Sequence, residues 1–89
     1  MNWEERFDSW TGRFIEIHIV DLAGHDPVAP PRVEMLHSVK LAEQGAALLF
    51  YINLNQFVCI PLHNDSYLEG KRFESGDSAS QLIYHVQLV

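Results

Sequence analysis

Residues 14–20 read FIEIHIV, and this stretch decides the fold class of the chain. Its side chains alternate between an isoleucine face and a face that carries Glu16 and His18. An alternation with a period of two is that of a β-strand, whose successive side chains point to opposite sides. The stretch therefore predicts a strand with its isoleucines in the core and its polar residues on the other face.

Two further stretches alternate in the same way. The segment Val33–Leu41 alternates apolar and polar residues and predicts one continuous strand. The segment Gln81–Val89 places Tyr84 and Val86 on an apolar face. It contains no lysine, proline or acid, the residues that discourage a strand edge from pairing with another chain. We therefore expect the last strand to be an unprotected edge that takes part in self-association.

Two apolar runs around a short polar turn predict a hairpin in the middle of the chain. Ala46–Ile52 and Phe57–Leu62 are almost entirely apolar, and Asn53–Gln56 separates them. Runs of this kind are typical of strands buried on both faces. A helix over Glu43–Phe50 is the alternative, because alanine and leucine are good helix formers. The aromatic end of the first run and the turn after it favour the strand.

The chain opens with the signature of a short helix. Asn2 is a good N-cap residue, and Glu5 stands in the capping-box position three residues later. Trp3, Phe7 and Trp10 fall on one helical face. A helix this short is unstable alone in water, so that face has to pack on something. Either it covers the sheet of its own chain, or it binds a partner, since tryptophan is enriched at interfaces.

Polar and conformationally restricted residues predict the connections. Gly24–Pro31 is rich in proline and can form neither a helix nor a β-ladder. Within the polar stretch His63–Ser80, Tyr67–Phe73 is predicted to be a short edge strand with Gly70 as a bulge. The remainder, Glu74–Ser80, has the composition of a loop.

Together these elements predict a mainly β fold, α+β by a strict count, in a single domain over residues 1–89. A short N-terminal helix precedes five or six mostly antiparallel strands, which form a small barrel or a strongly bent sheet. The order of elements resembles that of Sm-like and SH3-like small barrels in architecture alone, because no motif matches residue by residue. The predicted core is Ile15, Ile17, Ile19, Val33, Met35, Leu48, Phe50, Val58, Ile60, Leu82, Tyr84 and Val86.

Composition narrows the range of partners. The chain has 89 residues, 47% of them hydrophobic, and a net charge of −6, which is typical of an acidic globular domain. Its basic residues are scattered, so binding to nucleic acid or to an anionic membrane is disfavoured.

The N-terminal residues lack the apolar region of a signal peptide, and a single cysteine permits no internal disulfide. These features predict a cytoplasmic protein without a membrane span.

The sequence carries no signature of catalysis. There is no HExxH pair, no nucleophile elbow and no glycine-rich phosphate loop. Cys59 lies in an apolar run and is predicted to be a buried, unreactive thiol of the core. An enzyme is therefore disfavoured, and no cofactor is predicted.

The histidines offer one candidate metal site. Glu16 and His18 share a strand face, and His63 lies two residues before Asp65. Imidazole and carboxylate groups are ligands of zinc and related ions. Glu16, His18 and His63 are therefore the candidate ligands, and the alternative is that they form only the polar face of a strand and a turn.

The favoured function is a non-catalytic interaction or accessory module that self-associates as a homodimer or binds a protein partner. A small-ligand or metal-binding barrel is the alternative. An RNA-binding Sm-like barrel is the least favoured interpretation, with Arg72 beside Tyr67 and Phe73 as its contact patch. The predicted interface consists of Trp3, Phe7, Trp10, Ile83, His85 and Gln87.

Overall fold

The structure is a computed structural model that describes residues 2–22, 24, 30–63, 66–77, 79 and 81–89. Residues 25–29 of the predicted Gly24–Pro31 connection lie outside this range, as do residues 64, 65, 78 and 80 of the polar stretch. In chain order the helix and strands are α1 (Trp3–Arg6), β1 (Phe14–Asp21), β2 (Arg32–Met35), β3 (Ser38–Ala42), β4 (Ala47–Tyr51), β5 (Phe57–Pro61), β6 (Tyr67–Glu69), β7 (Arg72–Asp77) and β8 (Leu82–Leu88).

The strands form two antiparallel sheets. A five-stranded sheet has the order β2-β1-β8-β7-β6, and a three-stranded sheet has the order β3-β4-β5. Every strand pair is antiparallel. The predicted mainly β class with one short N-terminal helix is confirmed. The described strands number eight rather than five or six, and they do not close into a barrel.

Helix α1 begins as its sequence predicts. The side-chain Oδ1 of Asn2 accepts a hydrogen bond from the backbone N–H of Glu5 at 2.8 Å. The same helix covers part of a sheet edge, because Oε2 of Glu4 accepts the backbone N–H of Leu41 on β3 at 2.8 Å. The cap fixes the first turn of the helix, and the Glu4 contact attaches the helix to the three-stranded sheet.

The aromatic residues of the N-terminal segment lie in the core between the two sheets. Phe7 and Trp10 are buried, with ring centroids 4.9 Å apart. The Phe7 ring also lies 5.1 Å from Phe50 on β4 and 5.5 Å from Phe73 on β7. Trp3 is half-buried and packs edge-on against Phe73 at 5.5 Å. The sequence leaves two alternatives for this helical face, packing on the chain's own sheet or binding a partner. The structure shows the first, because the aromatic side chains pack between the chain's own two sheets.

The prediction of one strand over Val33–Leu41 is wrong, because the chain crosses between the sheets at Leu36 and His37. The backbone N–H of Leu36 donates to the carbonyl of Arg13, next to the five-stranded sheet, at 2.9 Å. The next N–H, that of His37, donates to the carbonyl of Tyr51 in the three-stranded sheet at 2.7 Å. Two short strands in different sheets therefore replace the single predicted one.

This crossing also overturns two predicted core positions. Val33 and Met35 are 51% and 49% exposed, whereas Leu36 and Val39 are buried. The two buried residues lie three positions apart rather than two, because the bend shifts the phase of the alternation. Residues before the bend consequently turn their apolar side chains away from the core.

The central hairpin is confirmed as two strands, β4 and β5, but most of its outer face is uncovered. Leu48, Phe50 and Ile60 are buried on the inner face. Phe57 is 50% exposed and Cys59 is exposed on the other. The prediction of burial on both faces is therefore wrong for most of the hairpin, and Ala47 at the start of β4 is the buried residue of the outer side.

The predicted edge strand over Tyr67–Phe73 is a hairpin instead. The chain turns at Gly70, whose φ of 60° is a conformation that favours glycine, and Glu69 pairs with Arg72 across the turn. Strand β7 then continues to Asp77, so that the first half of the predicted Glu74–Ser80 loop is strand.

The last strand, β8, has its predicted inner face but not its predicted position. Val86 is fully buried, and Tyr84 is half-buried on the same face. However, β8 lies between β1 and β7 and has a hydrogen-bonded neighbour on each side. The prediction of an unprotected C-terminal edge is therefore wrong.

Among the described residues, no helix has the length and apolar character needed to cross a membrane.

One core joins the helix and both sheets. It consists of Phe7, Trp10, Ile15, Ile17, Leu36, Val39, Leu48, Phe50, Ile60, Phe73 and Val86. Among the other predicted core residues, Ile19, Val58, Leu82 and Tyr84 are partly buried.

Candidate functional site

The candidate site is the side of the five-stranded sheet that points away from the core, which we call the outer face. Strand alternation assigns to it every second residue of β1, β2, β6, β7 and β8. By the strand register it consists of Phe14, Glu16, His18, Val20, Val33, Met35, Tyr67, Glu69, Arg72, Glu74, Gly76, Ile83, His85 and Gln87.

A row of four polar side chains crosses the centre of the outer face. His18, His85, Glu74 and Tyr67 are consecutive cross-strand partners on β1, β8, β7 and β6. The imidazole centroids of His18 and His85 lie 6.1 Å apart. Nδ1 of His85 lies 3.0 Å from Oε1 of Glu74, and the Tyr67 hydroxyl donates to Oε2 of the same carboxylate. Glu74 therefore orients both of its neighbours in the row.

Further polar contacts border this row. Nε2 of Gln87 donates to Oε1 of Glu16 at 3.2 Å, and Nε of Arg72 lies 3.7 Å from Oε2 of Glu74. Side chains of three strands surround a shallow depression of about 230 Å³ in the same region. The residues that line it are Glu16, His18, Val20, Arg72, His85 and Gln87.

Three large apolar side chains lie beside the polar residues, and we call them the apolar flank: Phe14, Val33 and Met35. Each is about half exposed, and Phe14 and Met35 are direct cross-strand partners. Exposed apolar side chains that are contiguous, rather than scattered singly, are typical of interaction surfaces. The outer face thus combines an ordered polar centre with an apolar border.

The structure brings together two of the three predicted metal ligands. Glu16 and His18 both lie on the outer face. Nε2 of His63 lies 3.8 Å from Oδ1 of Asp77, which strand alternation assigns to the opposite face of the sheet. Among the described side chains, no group of three or more His, Cys, Asp or Glu residues is placed to hold a metal ion. The neighbour that the structure gives His18 is His85.

The predicted interface residues divide into two groups. Ile83, His85 and Gln87 lie on the outer face. Phe7 and Trp10 are buried in the core, so that the chain itself covers them.

The predicted RNA patch divides in the same way. Its Arg72 and Tyr67 are on the outer face, whereas its third member, Phe73, is fully buried and offers no ring for base stacking.

Cys59 is exposed, and the prediction of a buried core thiol is wrong. Its side chain lies on the uncovered side of the three-stranded sheet, opposite Leu49. We expect a small thiol reagent to label Cys59 in the folded protein with one equivalent, because an exposed thiol is accessible without unfolding. Mass spectrometry of the native protein checks this. Labelling that begins only at denaturing urea concentrations would show that the thiol is covered.

Tyr84 gives the fold a dependence on alkaline pH. Burial raises the pKa of its phenol above the ordinary value of 10.0, and the negative charges of Asp77 and Cys59 raise it further. Above pH 10.0 the unfolded chain therefore releases this proton before the folded chain does, and the free energy of unfolding falls as pH rises. We expect Tyr84→Phe to remove this part of the decline between neutral and strongly alkaline pH in urea titrations. An equal decline in both proteins would contradict the assignment.

Comparison of the chain with protein-family models, with curated proteins and with solved structures finds no match. The functional argument consequently depends on the geometry of the outer face.

Proposed function

We propose that this protein is a non-catalytic interaction module of the cytoplasm that self-associates through the outer face to form a homodimer. The observation that carries the proposal is the apolar flank of Phe14, Val33 and Met35, which lies half exposed beside an ordered row of polar side chains. Protein interfaces combine these two features, an apolar area that is removed from water and polar groups with defined partners.

The polar row supports binding because it is already ordered. His85 and Tyr67 are both held by the carboxylate of Glu74, and Gln87 is held by Glu16. Side chains that are fixed before association lose less conformational entropy when a partner binds. The apolar flank makes the free energy of association more favourable, since burial of apolar surface stabilises by about 25 cal/mol for each Å² removed from water.

The composition of the outer face favours a second copy of the same chain as partner. In a two-fold dimer one patch packs on itself, so the patch has to contain groups that complement each other. The outer face carries the guanidinium of Arg72 and the carboxylate of Glu16, together with imidazoles that both donate and accept hydrogen bonds. An 89-residue chain also buries a modest share of its surface on folding, and a dimer increases that share.

The test is to place charge on the apolar flank. Both target side chains are about half exposed, so Val33→Lys with Met35→Lys should leave the monomer folded. Lysines there would have to be desolvated in the dimer, and we expect the dimer dissociation constant to rise at least about tenfold, or about 1.4 kcal/mol. Sedimentation velocity over a concentration series measures it.

A matched control makes the same change elsewhere. Leu54 and Phe57 are 78% and 50% exposed on the hairpin of the three-stranded sheet. Leu54→Lys with Phe57→Lys adds the same two charges and removes comparable exposed apolar surface. We expect this control to dimerise like the wild type. The proposal is wrong if the apolar-flank variant dimerises as well as the wild type, or if only the control loses the dimer.

A further inference from the structure

We propose that His18 and His85 form half of a transition-metal site, of the kind that binds Zn²⁺, and that the same pair from a second copy completes it. The inference rests on the proposed self-association through the outer face. It adds that a metal ion joins the two copies. It differs from the set Glu16, His18 and His63, since His63 pairs with Asp77 on the opposite face.

The two imidazoles are placed like a pair of ligands. His18 and His85 are direct cross-strand partners, and their ring centroids lie 6.1 Å apart with the planes inclined by 33°. With Zn–N bonds of about 2.0–2.1 Å, two imidazoles on one tetrahedral ion have centroids roughly 5–6 Å apart. A small rotation of the side chains would therefore bring both rings onto one ion, with no movement of the backbone.

A carboxylate behind one of the rings completes the pattern of a metal-binding histidine. Oε1 of Glu74 lies 3.0 Å from Nδ1 of His85 and leaves Nε2 as the ligand atom. The Tyr67 hydroxyl holds the other oxygen of Glu74. Metal-binding histidines almost always donate their second N–H to a carboxylate, a backbone carbonyl or water, which fixes the tautomer and the orientation of the ring.

A second copy is needed because one chain supplies too few ligands. Zinc sites in proteins have three or four protein ligands. No described group of three His, Cys, Asp or Glu side chains is placed to hold an ion. A two-fold axis that passes close to the His18 and His85 pair brings the same two rings from the second chain. The four imidazoles then surround one ion, which suits the tetrahedral preference of zinc.

The charge of the outer face favours a cation between two copies. Glu16, Glu69 and Glu74 place three carboxylates on it, against the single guanidinium of Arg72. Arg72 of each copy can pair with Glu16 of the other, but two such faces in contact still carry an excess of negative charge. Like charges across an interface oppose association. A divalent ion at the centre of the dimer offsets part of that excess.

Zinc titration of the chain without a histidine tag tests the inference. Calorimetry should give one Zn²⁺ per two chains, and sedimentation should show a dimer dissociation constant at least about tenfold lower in zinc than in EDTA. His18→Gln and His85→Gln should each abolish both effects. The matched control is His37→Gln, because His37 is exposed on the crossing segment and lies off the outer face. It should behave like the wild type.

The outcomes separate this inference from the proposed function. If the wild type is dimeric in EDTA and zinc changes nothing, self-association stands and the metal site is wrong. If the chain is monomeric with and without zinc, both are wrong. Binding of one Zn²⁺ per chain without dimerisation, or a zinc effect that survives His18→Gln and His85→Gln, also overturns the shared four-histidine site.

Discussion

Replacing Phe50 with alanine is expected to lower the free energy of unfolding by about 3–5 kcal/mol. Phe50 is fully buried, and its ring lies 5.1 Å from Phe7 and 5.7 Å from Phe73. The substitution removes the ring by which the three-stranded sheet joins the aromatic cluster around Phe7, and it leaves a cavity. Because small domains have a total stability of about 5–15 kcal/mol, the loss threatens folding at physiological temperature. Chemical denaturation monitored by circular dichroism measures it.

A phenylalanine of the next strand provides the control. Phe57 is half exposed on the outer side of the three-stranded sheet and packs mainly on Tyr51, at 5.2 Å between ring centroids. Phe57→Ala should therefore cost about 1 kcal/mol or less. Equal losses for Phe50→Ala and Phe57→Ala would mean that the faces of the hairpin are assigned wrongly.

Replacing Ser75 with alanine is expected to cost about 1–3 kcal/mol, because Ser75 is buried and forms part of a chain of hydrogen bonds. Its hydroxyl donates to the carbonyl of Pro61 and lies 2.7 Å from Oγ of Ser66. Since the Ser75 proton is used at Pro61, the Ser66 hydroxyl donates to Ser75. Oγ of Ser66 in turn accepts the N–H of His63 at 2.8 Å. This chain connects β5 of one sheet to β7 of the other.

The free energy of unfolding falls in Ser75→Ala because the Pro61 carbonyl and the Ser66 hydroxyl lose their hydrogen-bonding partner. Urea denaturation measures it, and Ser9→Ala is the control, because Ser9 is exposed. We expect the control to change the free energy of unfolding by about 0.5 kcal/mol or less. A stability of Ser75→Ala within that same range would show that the hydrogen-bonded chain contributes little to the packing of β5 on β7.

Sequence patterns that are confined to a few residues predict two elements correctly. The alternation in residues 14–20 gave the correct faces of β1, and Asn2 gave the correct helix start. Both depend on contacts within a few residues. The bend at Leu36 and His37 could not be predicted, since it arises where the chain leaves one sheet for the other, and the alternation continues through it in the sequence.

Cys59 shows a related difficulty. An apolar run indicates a strand but does not tell how many of its faces are covered. In the structure β5 belongs to a three-stranded sheet whose outer face is mostly uncovered, so Cys59 and Phe57 are exposed. Deciding this required the number and order of the sheets.

The candidate site was predicted in part. Glu16 and His18 were placed together because they are two residues apart on one strand. Their meeting with His85 and Glu74 depends on the register of β1, β8 and β7, which connects parts of the chain that are far apart in sequence. Sequence alone suggests His63 as the next candidate ligand, whereas the register places His85 beside His18.

The solution mass of the wild-type chain tests the central claim, self-association through the outer face, most directly. Sedimentation equilibrium at high micromolar concentration, run in zinc and in EDTA, should give about twice the 10.2 kDa of one chain in at least the zinc buffer. The Val33→Lys, Met35→Lys variant should give a lower average mass than the wild type under the same conditions, because its dimer dissociates more readily. A wild-type mass of 10.2 kDa in both buffers would contradict the account.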